Sequence, residues 1–187
     1  MLGILRNGLV YEEDKLNEEI TVSSEKIYDG KIINLRIDTV ELPNKKYTKR
    51  EIVEHRGAAA IIALDEDNKI ILVKQYRKAV EDFLYEVPAG KLELNEEPLN
   101  CASRELVEET GYCANKIEKL TEFYTCPGFC NEKIYLYKAT ELKQVETNLD
   151  DDEFIEIIKV SIDEAKEMIK QNKIVDAKTQ IAIFNLF

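Results

Sequence analysis

Apolar residues along this chain follow one spacing in its first half and another beyond it. From Ser24 to Glu54 apolar and polar positions interchange in short runs, EKIYDG, KIINLRIDTVEL and YTKREIVEH, with a turn at Pro43-Asn44, which predicts a small antiparallel sheet. Two richer runs follow, GAAAIIAL from Gly57 and KIILVKQYR from Lys69, joined through the polar Asp65-Glu66-Asp67-Asn68; they predict a hairpin with both strands buried. After EVPAG the period becomes helical. Glu96-Glu97-Pro98 puts carboxylates and a proline in a first turn, and Gly111 supplies a stop. FYTCPGF reads as a loop, KIYLYKATEL and IEIIKVSI as strands on either side of the acidic NLDDDEF, and IDEAKEMIKQ and DAKTQIAIFNLF as closing helices. Ala165, Met168 and Ile169 in the first, and Ile181, Ile183, Phe184 and Phe187 in the second, are expected to lie against the sheet. The fold class is mixed α/β, divided as residues 1–23 (an extension), 24–54 (the N-terminal β-sheet region) and 55–187 (the main domain).

Charge narrows the function. The 26 Lys and Arg against 37 Asp and Glu leave a net charge of -11, and so acidic a chain repels a nucleic-acid backbone. No apolar run approaches the ~18–20 residues of a membrane span, and no basic start with an apolar stretch and cleavage site opens the chain. The expectation is a cytoplasmic protein with neither nucleic acid nor membrane as partner. Cys101, Cys113, Cys126 and Cys130 then read as reduced thiols. Cys126 and Cys130 invite a zinc reading, but the other two cysteines are badly spaced and the lone histidine, His55, is distant in sequence. The acidity is local: Gly90–Tyr112 carries -4, Gln144–Ile158 carries -6, and the remainder only -1.

The first acidic segment is the helical one. At 100° per residue, with Glu105 at zero, Glu109 falls at about 40° and Glu108 at about -60°, while Ala102, Leu106 and Leu99 fall at about 60°, 100° and 120°. One face is apolar and its neighbour is a row of carboxylates. Like charges at i,i+4 cost ~0.2–0.5 kcal/mol, and carboxylates in the last turns oppose the helix dipole by ~0.3–1 kcal/mol each. A solvated acidic face is one reading; a site for a hard divalent cation, which takes oxygen ligands, is the other.

Residues 90–112, GKLELNEEPLNCASRELVEETGY, resemble the Nudix box, Gly-x5-Glu-x7-Arg-Glu-U-x-Glu-Glu-x-Gly-U with U aliphatic, at Gly90, Glu96, Arg104, Glu105, Glu108, Glu109 and Gly111. Tyr112 departs from the pattern in the last aliphatic place. The resemblance implies a Nudix α/β/α sandwich with a mixed sheet over 55–187, a small N-terminal antiparallel sheet involved in dimerisation, and hydrolysis of a nucleoside diphosphate linked to another group. It implies Glu105, Glu108 and Glu109 as ligands of Mg²⁺, with Mn²⁺ as a possible substitute and two or more ions, joined by the backbone carbonyl of Ala89. Glu108 also counts among the catalytic residues. Glu96 and Arg104 would be an ion pair holding the loop against the helix. Divalent cations suit the chemistry because they neutralise phosphates, activate water and stabilise the leaving oxygen.

Further runs resemble bacterial ADP-ribose pyrophosphatases: REIVEHRGAA from Arg50, KQYRKAVE from Lys74, EVPAGKLE, CPGFCNE around Pro127, and DAKT at Asp176 to Thr179. On that resemblance Arg77 contacts phosphate, Arg50 and Glu51 reach the adenosine side across a homodimer, Tyr28 stacks on adenine, and Glu132 meets the terminal ribose. For Tyr28 core packing, and for Arg77 a simple surface charge, stand as the alternatives. The catalytic base would come from LDDDEFIEI, with Glu153 ahead of Asp151. The expected reaction is hydrolysis of ADP-ribose to AMP and ribose 5-phosphate. The competing readings are another nucleoside diphosphate sugar or a dinucleotide as substrate, and a non-catalytic nucleotide-sensing module, which would lack box carboxylates that this chain keeps.

Overall fold

The computed structural model describes residues 17–145 and 154–186, which form two compact units, one ending at Glu54 and the other beginning at His55. The first unit is an antiparallel meander of β1 (Ile20–Asp29), β2 (Asn34–Glu41) and β3 (Tyr47–Glu54) in that order. Its first strand begins at Ile20, inside the span the sequence reading gives to the extension, because Ile20 and Val22 already carry the two-residue alternation. The turn between β2 and β3 closes through Leu42, which accepts from the Lys45 amide at 2.9 Å, with Lys45 at φ 65°.

The second unit is built on a seven-stranded mixed sheet. Its main path runs β10 (Glu156–Val160), β5 (Ile70–Arg77), β4 (Ala58–Leu64), β9 (Lys133–Gln144), β8 (Tyr112–Tyr124), with β6 (Asp82–Glu86) on β5 and β7 (Ala89–Lys91) on β4. Only β4 and β9 run parallel. Among the described residues three helices cover it: α1 (Pro98–Thr110), α2 (Ile162–Lys170) and α3 (Ala177–Phe184).

β4 explains why the run AAAIIAL has no polar break. Ala59, Ile61 and Ala63 join Cys101, Ala102 and Leu106 of α1 in one core cluster. Ala58, Ala60, Ile62 and Leu64 join Ala165 of α2 and Ala182 and Ile183 of α3 in the other. Successive side chains point to opposite faces, so a strand covered by helices on both sides must be apolar throughout. The expected α/β/α layering is present.

Further details depart from the sequence reading, among them the short strands β6 and β7, which it does not place. Leu99 is 45% exposed, and Cys101 takes its place in the core, its thiol 3.5 Å from the carbonyls of Gly90 and Lys91. Phe184 is exposed at the end of α3, and Phe187 lies outside the described residues. β8 was not foreseen, and it absorbs Phe123 and Tyr124 from the expected loop. It is a half-exposed strand rich in Lys and Glu, with a register shift between Lys119 and Thr121 that disrupts its alternation. β4 and β5 pair only at Ala63–Leu64, and β7 and β9 complete the pairing of β4, so the expected hairpin is a short corner of a wider sheet.

Candidate active site

The carboxylate helix starts and stops where expected. Pro98 opens α1 after Glu97, and Gly111 ends it at φ 67°, its amide donating to Val107 O at 2.8 Å. That left-handed cap suits glycine. Tyr112, which departs from the box, lies under the ammonium of Lys159, 5.2 Å from the ring centre, and Lys159 in turn meets Asp65 at 3.1 Å. An aromatic is thus retained where the box has an aliphatic residue, and its ring faces a cation.

β7 runs beneath the helix and receives two of the three box carboxylates that α1 carries. Glu109, only 3% exposed, accepts from the Ala89 amide at 3.2 Å. The Glu105 carboxylate lies against Gly90, so closely that any side chain there would overlap it. This gives the box glycine a steric reason for being there. Glu105 and Glu108 each accept from Nη1 of Arg104 at 2.8 Å, and Glu96 takes Nε of the same guanidinium at 3.0 Å and Nη2 at 3.2 Å. Arg104 is raised above the ordinary arginine value, first by its bond to Glu96 and then by Glu105 and Glu108. Glu96 is correspondingly lowered, and its Oε2 also accepts the Glu93 amide at 2.9 Å, which fixes the loop before the helix. The expected Glu96–Arg104 contact is therefore present, and Arg104 extends it to two more carboxylates.

Those donors fit a hard cation in kind: carboxylate oxygens on one helix face, next to the peptide units of Ala89 and Gly90. Among the described residues no three acidic, histidine or cysteine side chains are arranged to hold a metal ion as they stand, since Glu105 and Glu108 turn to Arg104 and Glu109 turns to Ala89.

The remaining predicted residues fall in three places. Arg77 ends β5 and donates through Nε and Nη2 to Glu86 at 2.7 and 2.9 Å, so it is no mere surface charge. Glu132 follows the CPGF turn, accepts from Thr125 Oγ1 at 2.8 Å, and stands 3.5 Å from Nδ1 of His55. Tyr28, Arg50 and Glu51 belong to the first unit. Tyr28 is 57% exposed, against the core-packing alternative. Through the pairs Tyr28↔Leu35, Leu35↔Val53 and Ile37↔Glu51, Tyr28 shares a sheet face with Glu51, while Arg50 is on the opposite face, bound to Glu19 at 2.9 and 2.5 Å. Glu153 and Asp151 lie outside the described residues.

Sequence reasoning gave no role to Glu86, Lys178, Asp176 or Thr179. Their signal was available as a charged residue closing the apolar strand DFLYE and as the DAKT run, whose Asp176 caps α3 by accepting from the Thr179 amide at 2.9 Å.

Known proteins resemble both units of the chain. The NUDIX domain profile matches residues 54–179, and the profile of the nucleoside diphosphate sugar hydrolase N-terminal domain matches residues 19–53. The chain is 49% identical to an ADP-ribose pyrophosphatase of Bacillus subtilis over 89% of its length and 91% of the relative's. It is equally 49% identical to a methanol dehydrogenase activator of Bacillus methanolicus, over 90% and 92%, and 33% identical to a GDP-mannose pyrophosphatase of Cronobacter sakazakii, over 91% and 95%. A solved ADP compounds hydrolase shares the fold at a TM-score of 0.79 and 19% identity, covering 90% of this chain and 92% of its own. With the NUDIX profile matched over residues 54–179 and a relative 49% identical over 89% of this chain's length, the chain belongs to the Nudix hydrolase family.

Proposed function

We propose that this protein hydrolyses the diphosphate of ADP-ribose, adding water to give AMP and ribose 5-phosphate, and that it does so with Mg²⁺. The observation that carries the reaction class is the row Glu105, Glu108 and Glu109 beside Ala89 and Gly90. Family hydrolases generally need divalent metal ions. Those three carboxylates and the Ala89 carbonyl would hold two or more Mg²⁺, with Mn²⁺ as substitute. When bound, such ions neutralise the diphosphate and lower the pKa of water. Glu96 and Arg104 keep the loop and helix together around the ligands. Arg77 would contact a phosphate oxygen, Glu132 the terminal ribose, and Glu153, or Asp151 after it, would take the proton of the attacking water. Tyr28 and Glu51, on one face of the first sheet, with Arg50 on the other, are the adenosine-side candidates.

The substrate rests on the relatives' names. The Bacillus subtilis relative is named for ADP-ribose, and the more distant Cronobacter sakazakii relative for GDP-mannose, so a different diphosphate sugar is the second reading. The Bacillus methanolicus relative, equally similar, is named for an effect on another enzyme, which leaves its own chemistry unstated. A homodimer is proposed because β1 is exposed along all ten residues, with Ile20, Val22, Ile27 and Tyr28 uncovered, and an apolar edge strand of this kind is normally paired or covered. The four cysteines, none bonded to another, suit a reducing cytoplasm. The substrate is tested by measuring kcat/KM with ADP-ribose, GDP-mannose and NADH in Mg²⁺. ADP-ribose is expected to be preferred by about tenfold or more, the scale of one well-made contact. A preference for GDP-mannose or NADH removes the substrate assignment and leaves the reaction class standing.

A further inference from the structure

Glu86 has no part in the reaction described above, yet it is a carboxylate with only 1% of its surface exposed. Burial of an ionised carboxylate is strongly unfavourable unless its oxygens are occupied. Here they are. Arg77 donates from Nε to Oε1 at 2.7 Å and from Nη2 to Oε2 at 2.9 Å, and Lys178 also reaches Oε2. Lys178 is itself held by Asp176 at 3.1 Å. Asp176 accepts from the hydroxyl of Thr179 at 2.6 Å, and that hydroxyl accepts the amide of Val87 at 2.8 Å. A closed ring results: Glu86 to Lys178, Asp176, Thr179, and back to the residue after Glu86. Two cations and two anions make the quartet formally neutral, which allows the Glu86 carboxylate to be buried.

The bonds to Glu86 use one edge of the Arg77 guanidinium. A guanidinium is planar and rigid, so fixing its Nε and Nη2 edge also fixes the direction of Nη1. Among the described residues Nη1 of Arg77 makes no hydrogen bond, while the charges of Glu109 and Asp176 also act on the guanidinium, and the Arg77 side chain is 41% exposed. Lys178 alone would give Glu86 a counter-charge, so neutralisation does not explain the two-pronged bond to Arg77. We propose that Glu86, locked by Lys178 and the first turn of α3, is a positioning residue that orients Arg77 to present Nη1 to a phosphate oxygen of the substrate. This rests on the reading of Arg77 as a phosphate contact.

The test is a double-mutant comparison in the full-length protein with ADP-ribose and Mg²⁺. Glu86→Asp keeps the charge but draws the carboxylate back by about 1.5 Å, one carbon–carbon bond. It is expected to lower kcat/KM by about tenfold or more, since misplacement by about 1 Å can cost as much as 10²-fold. In an Arg77→Met background, where Lys178 still pairs with Glu86, the same change is expected to alter kcat/KM by less than about twofold, the remaining coupling of an independent site. A fall that is equal in both backgrounds means that Glu86 acts through the fold, and overturns the proposal alone. Unchanged turnover in Arg77→Met overturns the reading of Arg77 and the proposal with it. If Glu86→Asp does not fold, Lys178→Met releases the carboxylate from its other side and carries the same comparison, with the same outcomes.

Discussion

A methyl group at position 90 would occupy the space of the Glu105 carboxylate. The obstacle is the far end of a flexible side chain, so the fold can yield by moving Glu105 away. Gly90→Ala is therefore expected to keep its thermal midpoint within a few degrees while losing about 10²-fold or more in kcat, the scale of a misplaced catalytic group. A large fall in midpoint with activity retained by the folded fraction would contradict this. Cys101 makes a second residue-level case. Burial pushes its thiol up to about 12 from an ordinary 9.0, with Glu96 and Glu105 adding to the shift. A thiol whose pKa is raised by folding contributes stability that is fully present below about pH 9 and lost as pH rises toward 12. Cys126, which is exposed, is expected to react first with a disulfide reagent, and Cys101 only on unfolding; early reaction of Cys101, seen by mass spectrometry, would refute the burial argument. Side chains with fixed spacing were legible in the sequence, because the box specifies positions on one helix face. Glu86 was not, because its partners Arg77 and Lys178 meet it through tertiary structure from opposite sides in sequence.

At the level of elements, the helices carry their own start signals. Ser161 and Glu164 form a reciprocal capping box at α2, with amide bonds of 2.7 and 3.2 Å, and Asp176 caps α3. Ser161→Ala is expected to cost ~0.5–2 kcal/mol by denaturant unfolding and leave kcat unchanged. Asp176→Ala should cost at least as much and also lower kcat, because Asp176 holds Lys178 as well; equal effects from the two variants would argue that the α3 cap has no link to the site. The helices and the fully apolar β4 were legible because burial on both faces leaves no polar position and because Pro98 and Gly111 punctuate α1. β8 was not, since a half-exposed strand with a register shift lacks a clean period, and β6 and β7 are too short to show one.

For the whole molecule, part of the acidity is held in ordered ion pairs: Arg104 meets Glu96, Glu105 and Glu108, and Arg77 and Lys178 share Glu86. Burial would raise Glu86, but the bonds from Arg77 and Lys178 outweigh it and hold the carboxyl below the ordinary 4.5. A lowered carboxylate contributes stability that is present above that value and lost as pH falls through the folded one. The thermal midpoint is expected to drop below about pH 4.5, and Glu86→Gln, already less stable at pH 7 because it leaves two cations poorly paired, should lose less over the same acid range. Parallel acid curves would show that Glu86 does not set that limb. If the carboxylate face of α1 makes water attack a diphosphate, phosphorus NMR of ADP-ribose with the purified protein and Mg²⁺ will record the cleavage. The two diphosphate signals are expected to give way to those of AMP and ribose 5-phosphate, and folded Glu109→Gln is expected to slow this by about two orders of magnitude or more, the range for loss of an essential charged group. An unchanged spectrum with the native protein, or equal turnover in the variant, would contradict it.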